Sequence, residues 1–173
     1  MERTLRTLID AETIAARVAE LGATIRADYD GKPLVVVGVL KGSVLFLADL
    51  LRHLDPTTRL EFLAVSSYSG TESTGTVRIN FDLKYDVSGC HILIVEDIVD
   101  TGLTLSYLLK LLETRAPASV RIVTLLDKPS RRKVDVPVDY VGFPIEDRFV
   151  VGYGLDLDEA YRSLPYVGEI VTD

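Results

Sequence analysis

The length, composition and charge of the chain exclude several classes of protein before any motif is considered. Its 173 residues are 47% hydrophobic and 26% charged, which fits one globular domain (1–173) with a sizeable core and not a disordered chain. The formal net charge of −7 argues against general nucleic-acid binding, which requires a basic surface. No apolar run approaches the ~20 residues that cross a bilayer, and the first ten residues lack an apolar signal core. We therefore expect a soluble protein of the cytoplasm with no nucleic-acid or membrane partner.

Helices and strands are predicted to alternate along most of the chain. Asp10 can cap a first helix, whose apolar residues recur on one stripe. The apolar runs that follow are typical of strands buried on both faces of a parallel sheet. The predicted elements are a strand at Leu34–Leu40, a helix from about Val44 to Leu54, strands at Leu60–Ser66 and Ile92–Val95, a helix from about Thr104 to Arg115 and a strand at Val120–Leu126. This order predicts an α/β fold with helices on both faces of a parallel sheet.

Two regions depart from this alternation. Tyr68–Gly75 is polar and contains glycine, and it leads into an alternating segment at Val77–Leu83, so a mobile loop is expected over about residues 68–80. After Asp127, four prolines break the chain into short pieces. The core is therefore assigned to about residues 34–127, and a small hood mainly to residues 128–173.

Three acidic residues follow the central apolar strand. Glu96, Asp97 and Asp100 stand at the strand end, where ligands bind in open parallel sheets. Glu96 and Asp97 could hold sugar hydroxyls or a magnesium ion, because hard cations prefer carboxylate oxygens. Capping of the next helix by Asp97 or Asp100 is the structural alternative. It explains one acid, whereas three acids within five residues repel each other, which favours a functional site.

The residues after these acids are suited to holding a phosphate group. Thr101, Gly102 and Thr104 provide two hydroxyls and a flexible backbone at a predicted helix N-terminus. Free N–H groups and the helix dipole attract anions there. The sequence therefore predicts a phosphate loop that contains no cation.

The segment Ile94–Leu105 resembles the signature of the type I phosphoribosyltransferases for phosphoribosyl pyrophosphate (PRPP), in which two acids after an apolar strand precede D-T-G-x-T. From about Leu34 to Pro165 the chain resembles the hypoxanthine-guanine branch of that family. The resemblance implies a Rossmann-like parallel sheet flanked by helices, with a small hood built from C-terminal and N-terminal residues. It further implies transfer of the 5-phosphoribosyl group from PRPP to hypoxanthine or guanine. It also implies IMP or GMP and pyrophosphate as products, magnesium as cofactor, and a homodimer or homotetramer.

The same resemblance assigns the donor side of the site. The residues that would bind PRPP are Glu96, Asp97, Asp100, Thr101, Gly102, Leu103 and Thr104. Asp100, beside the phosphate loop, is our candidate general base. Leu40-Lys41-Gly42-Ser43 resembles the pyrophosphate loop, for which a strained Leu40–Lys41 peptide with a cis option is implied. Arg162 would also contact pyrophosphate, and Ser67-Tyr68 matches the start of the catalytic loop.

The acceptor side follows from two further matches. Lys128, after the last core strand, resembles the lysine that donates to the purine 6-oxo group. In the stretch from Asp147 to Asp156, Phe149 would stack on the base, the Val150 backbone would contact its edge, and Asp156 would help bind a second magnesium. The implied metal ligands are thus Glu96, Asp97 and Asp156.

The sequence differs from part of the family at one position of the phosphate loop, and two other functions were weighed against the phosphoribosyltransferase interpretation. Leu103 occupies a phosphate-loop position that carries lysine in some members, so the backbone and the two threonines must hold the phosphate alone. An RNA-binding regulator of similar fold would need a basic face, which an acidic chain disfavours. A phosphoacceptor domain also places acids at strand ends, but the D-T-G-L-T loop favours binding of a phosphate that is already present.

Overall fold

The fold is taken from a computed structural model, which describes residues 3–67 and 77–172. The helices are α1 (Ala11–Asp28), α2 (Val44–Leu51) and α3 (Leu103–Glu113). The strands are β1 (Arg3–Ile9), β2 (Leu34–Leu40), β3 (Arg59–Ser67), β4 (Val77–Phe81), β5 (His91–Val99), β6 (Ser119–Asp127), β7 (Tyr140–Pro144), β8 (Val150–Val151) and β9 (Val167–Thr172). All predicted helices and strands are present, with bounds shifted by up to four residues.

Six strands form the main sheet in the order β4-β3-β2-β5-β6-β7. All neighbours are parallel except β4, which pairs antiparallel with β3 at one edge. The apolar residues of β2 and β5 are almost completely buried, because helices cover both faces of the sheet at its centre. The predicted α/β class is therefore confirmed.

The helices lie on both faces, as predicted. Asp10 caps α1 by accepting a hydrogen bond from the Thr13 amide at 2.8 Å. The apolar stripe of α1 packs with α2 on one face of the sheet, and α3 packs on the other.

The hood contains N-terminal residues, as the family resemblance implies, but it does not include all of residues 128–173. Its sheet has the order β1-β9-β8, so Arg3–Ile9, which was not predicted as a strand, completes it from the N-terminal side. Tyr140–Pro144 instead pairs with β6 as the last strand of the main sheet, with its proline at the end of an edge strand. Arg17 of α1 fixes this strand by donating to the carbonyls of Val141 and Gly142. Each of these strands forms only by pairing with a strand that is distant in sequence, so local sequence patterns did not predict the pairings.

The expected loop over about residues 68–80 is shorter at its C-terminal end. Val77–Phe81 is the strand β4, paired with β3, so those residues do not belong to a loop. The remainder of the predicted loop lies outside the described residues.

The order of the strands determines where a ligand can bind. From β2 the chain crosses to β3 on one side, and β5 lies on the other side of β2. The connections therefore diverge between β2 and β5, and a crevice forms beyond their carboxyl ends.

Among the described helices, none is both long and apolar enough to span a membrane.

The crossing of α1 over the end of α2 provides a test of the packing. A methyl group at Gly22 would overlap the Cβ atom of His53. Alanine is the better helix former by about 1 kcal/mol, but overpacking costs roughly 1–3 kcal/mol. We expect Gly22→Ala to lower the free energy of unfolding measured in urea. The loss should disappear in a His53→Gly background, and a more stable single variant would contradict the packing described here.

Candidate active site

The loop between β5 and α3 forms one wall of a small polar pocket. The pocket has a volume of about 220 Å³, and its lining includes Glu96, Thr101, Gly102 and Thr104. Gly102 has a φ of +82°, and a side chain there would overlap the carbonyl of Val134, so the position requires glycine. The first turn of α3 thus begins at the pocket, which supports the predicted phosphate loop. Leu103 is half exposed at the start of the helix.

The acids Glu96 and Asp97, which were predicted at the end of the strand, lie inside β5, because the strand continues to Val99. Burial raises the pKa of Glu96 well above its usual range, and the neighbouring charge of Asp97 raises it further. Burial also raises the pKa of Asp97, although its carboxylate accepts a hydrogen bond from the Ile98 amide at 2.7 Å. Both groups would be stabilised as anions by a cation that bound beside them.

Two glycines bring the other segments of the site against Asp97. A Cβ atom on Gly42 would overlap the Asp97 carboxylate, and one on Gly154 would overlap the Gly42 carbonyl. The loop after β2, the end of β5 and the turn before Asp156 therefore stack in direct contact. The Leu40–Lys41 peptide bond is cis, the option that the sequence comparison left open.

The two cations expected to contact pyrophosphate share one carboxylate. Glu159 lies 2.8 Å from the Lys41 ammonium and 3.2 Å from the Arg162 guanidinium. Arg162 also pairs with Asp156 at 2.9 Å and donates to the Gly154 carbonyl at 2.8 Å. Its Nε atom is buried without a hydrogen-bond partner among the described residues. The structure therefore brings Lys41, Arg162 and Asp156 together, and adds Glu159.

A second group of charges connects Asp100 with Lys128. Lys128 is buried, with its ammonium 3.7 Å from Asp147, and Arg131 lies 3.2 Å from Asp147 and 3.4 Å from Asp100. The Asp100 Oδ1 atom is buried, and within the described parts of the chain it accepts no hydrogen bond despite the nearby Arg131. Arg131 therefore faces this atom as an ion-pair partner at 3.4 Å, outside hydrogen-bond geometry. Arg131 was not predicted, and Asp147 was named only as the first residue of the base-binding stretch, because nothing in their local sequence distinguishes them from surface charges.

The remaining predicted residues lie at or near this region. Phe149 is an exposed aromatic residue, with 54% of its surface accessible, whereas Val150 is buried in β8. Ser67 is the last residue of β3, and Tyr68 lies outside the described residues.

A larger cavity, of about 520 Å³, lies at the opposite end of the main sheet. It is lined by residues that include Tyr29, Lys32 and Arg59, and none of the predicted site residues reaches it. Ligands of open α/β sheets bind beyond the carboxyl ends of the strands. We therefore assign the chemistry to the smaller pocket.

The donor atoms of the site fit a magnesium ion that is shared with a substrate. Within residues 3–67 and 77–172, no group of three or more potential ligands forms a complete metal cage. Magnesium is commonly held by one or two carboxylates together with phosphate oxygens and waters. The buried Glu96 and the partly buried Asp97 provide two such carboxylates.

The buried carboxyl of Glu96 predicts a specific pH dependence of stability. Because its pKa is raised by folding, the cost of ionising it is absent below the ordinary value of 4.5 and grows as the pH rises through the raised value. Glu96→Gln should therefore melt at a higher temperature than the natural chain at pH 8 in EDTA, and the two should converge near pH 4. Glu61→Gln controls for an amide at another buried glutamate. A natural chain more stable than Glu96→Gln at pH 8 would contradict this cost.

Comparison with known proteins agrees with this geometry. Residues 6–158 match the family model of the phosphoribosyl transferase domain. The hypoxanthine-guanine phosphoribosyltransferase of Bacillus subtilis (strain 168) is 51% identical over 164 residues, which cover 94% of this chain and 91% of the relative. The hypoxanthine phosphoribosyltransferase of Salmonella typhimurium is 50% identical over 174 residues, which cover 99% and 98%.

A solved structure extends the likeness to three dimensions. The crystal structure of a hypoxanthine phosphoribosyltransferase from Staphylococcus aureus superposes with a TM-score of 0.92 at 50% sequence identity. The match covers 96% of this chain and 91% of that one. With both sequence and fold in agreement over nearly its whole length, the chain belongs to the phosphoribosyltransferase family.

Proposed function

We propose that the protein transfers the 5-phosphoribosyl group of PRPP to a 6-oxopurine, hypoxanthine or guanine, and forms IMP or GMP and pyrophosphate. The observation that carries this proposal is the meeting of three features at neighbouring strand ends. These are the phosphate loop after β5, the Asp100 carboxylate, whose Oδ1 atom accepts no hydrogen bond among the described residues, and the buried Lys128 after β6. The relatives named as hypoxanthine-guanine enzymes support the choice of acceptor.

PRPP fits the site in an extended arrangement. The amides and hydroxyls of residues 101–104 would hold the 5′-phosphate at the start of α3. Glu96 and Asp97 would hold the ribose hydroxyls directly or through magnesium. Lys41, the Gly42 backbone and Arg162 would hold the pyrophosphate, whose oxygens can satisfy the Arg162 Nε donor.

The reaction exchanges one bond at the ribose C1 for another. The bond from C1 to the pyrophosphate oxygen breaks while a ring nitrogen of the base attacks C1, through a transition state with oxocarbenium character. The negative charges of Glu96 and Asp97 would favour the positive charge on the sugar, and Asp100 would accept the proton that leaves the purine ring. Bound magnesium, with Asp156 assisting a second ion, would neutralise the charge of the leaving group.

Lys128 would select the base. Its ammonium donates hydrogen bonds and accepts none, so it favours the 6-oxo group and disfavours the 6-amino group of adenine. The exposed Phe149 would stack on the purine, and the Val150 backbone would contact the edge of the ring. The segment beginning at Ser67 and Tyr68 would cover the reacting centre and exclude water.

We extend the proposal to the setting of the reaction. A homodimer or homotetramer in the cytoplasm is the expectation carried over from the family resemblance and from the composition. Sedimentation of the purified chain would test the assembly.

A spectrophotometric assay of several bases tests the function directly. With PRPP and magnesium, hypoxanthine and guanine should be converted, and omission of either PRPP or magnesium should stop the reaction. Lack of turnover with every base by folded protein would refute the proposal.

Asp100→Asn tests the proton acceptor. The amide keeps the shape of the side chain but cannot take the proton, so kcat for both bases should fall at least about tenfold. Calorimetry should show PRPP binding retained. Asp135→Asn, at an exposed aspartate, should keep full activity. Unchanged turnover by Asp100→Asn would remove the assigned role.

Lys128→Ala tests the base selection. Loss of the ammonium should raise kcat/KM for adenine relative to hypoxanthine by about tenfold, because the group that rejects the 6-amino substituent is gone. The exposed Lys110→Ala variant on α3 should leave the ratio unchanged. Equal ratios in the natural chain and in Lys128→Ala would refute the assignment.

A further inference from the structure

We propose that Arg132 is a positioning residue, which holds the phosphate loop and the purine-selecting segment in a fixed relation; the inference rests on the function proposed above. Its Nη1 atom donates to the carbonyls of Val99 at 3.2 Å and Asp100 at 2.8 Å. Its Nη2 atom forms an ion pair with Asp127, the last residue of β6. The side chain is only 19% exposed, so these bonds form with little competition from water.

The two residues after Arg132 continue the same contact. The amides of Lys133 and Val134 both donate to the Thr101 carbonyl, at 2.9 and 3.2 Å. Three successive carbonyls, of residues 99, 100 and 101, are therefore held by three successive residues, 132 to 134. We call residues 132–134 the strap.

The strap fixes the direction of the loop amides. In a trans peptide the N–H points opposite to the C=O of the preceding residue. Because the carbonyls of residues 99–101 point to the strap, the amides of Asp100, Thr101 and Gly102 point away from it. The strap residues do not line the phosphate pocket, whereas residues 99–102 do. The strap thus orients the loop amides for an anion without touching the anion itself.

Arg132 also connects this loop to the acceptor side. The Val99 carbonyl accepts both from Arg132 and from the Lys128 amide, at 2.9 Å. Asp127, the ion-pair partner of Arg132, immediately precedes Lys128 in the chain. One guanidinium therefore links the phosphate loop and Asp100 to the backbone segment that carries Lys128. The planar guanidinium group has several N–H donors in a fixed arrangement, so it can reach the two carbonyls and the carboxylate at once. A lysine ammonium at this position would lose at least one of these three contacts.

Arg17 offers a matched control at a distance from the site. It too donates to two backbone carbonyls, those of Val141 and Gly142, and pairs with one carboxylate, that of Glu20. Its bonds join α1 to β7, so an arginine-to-lysine change there removes comparable contacts from the fold but none from the loop.

Arg132→Lys and Arg17→Lys are compared by two measurements on the intact protein. In Arg132→Lys we expect kcat/KM for PRPP to fall about tenfold or more, with hydrogen exchange accelerated at the amides of residues 100–103. In Arg17→Lys we expect kcat/KM within about twofold of the natural chain and unchanged exchange at these amides. Asp127→Asn retains the arginine but removes its anchor, and should change both quantities in the same direction. If Arg132→Lys does not fold, Asp127→Asn provides the test of the positioning role.

The two measurements separate this inference from the proposed function. Natural exchange at residues 100–103 in folded Arg132→Lys or Asp127→Asn would overturn the positioning role, whatever the activity. Accelerated exchange with kcat/KM unchanged would equally overturn it, because a loop that need not be held is not positioned for the reaction. Absence of PRPP-dependent turnover in the natural chain would refute the function, while exchange would still show whether Arg132 holds the loop.

Discussion

The burial of two adjacent carboxyl groups at the end of the central strand is the constraint on which the site depends. Glu96 and Asp97 lie in β5, where flanking strands and helices exclude water and raise the pKa of both. A chain selected only for stability would place apolar residues at these positions. In the proposed function, ribose hydroxyls would donate hydrogen bonds to these carboxyls or a cation would compensate their charge, which would offset the cost of their burial.

The other segments are arranged around this pair by close backbone contacts. Gly42 lies on the Asp97 carboxylate, and Gly154 lies on Gly42, with no space for a side chain at either position. These contacts carry Lys41 and Arg162 to the rim of the crevice. An acidic protein with a net charge of −7 thus concentrates cations locally, where a diphosphate would bind.

Much of the fold could be predicted because its signals are local. Apolar runs identify β2, β5 and β6, and the stripe and Asp10 cap identify α1. Tyr140–Pro144 was assigned to the hood and Arg3–Ile9 was not predicted as a strand, because each becomes a strand only through pairing with a remote partner. The continuation of β5 through Glu96 and Asp97 was also missed, since two acids break the apolar pattern that marks a buried strand.

The sequence by itself determined the family and the α/β class, because these follow from short motifs and from periodicities that neighbouring residues create. It also predicted the phosphate loop from its glycine, hydroxyls and helix start. Only the tertiary structure decided how the motifs meet. It placed Arg131 between Asp100 and Asp147, Glu159 between Lys41 and Arg162, and Arg132 on the carbonyls of the phosphate loop. Apart from the pair Glu159 and Arg162, these contacts join residues that are far apart along the chain. Their distances depend on how strands and turns pack, and no local pattern of residues encodes that geometry.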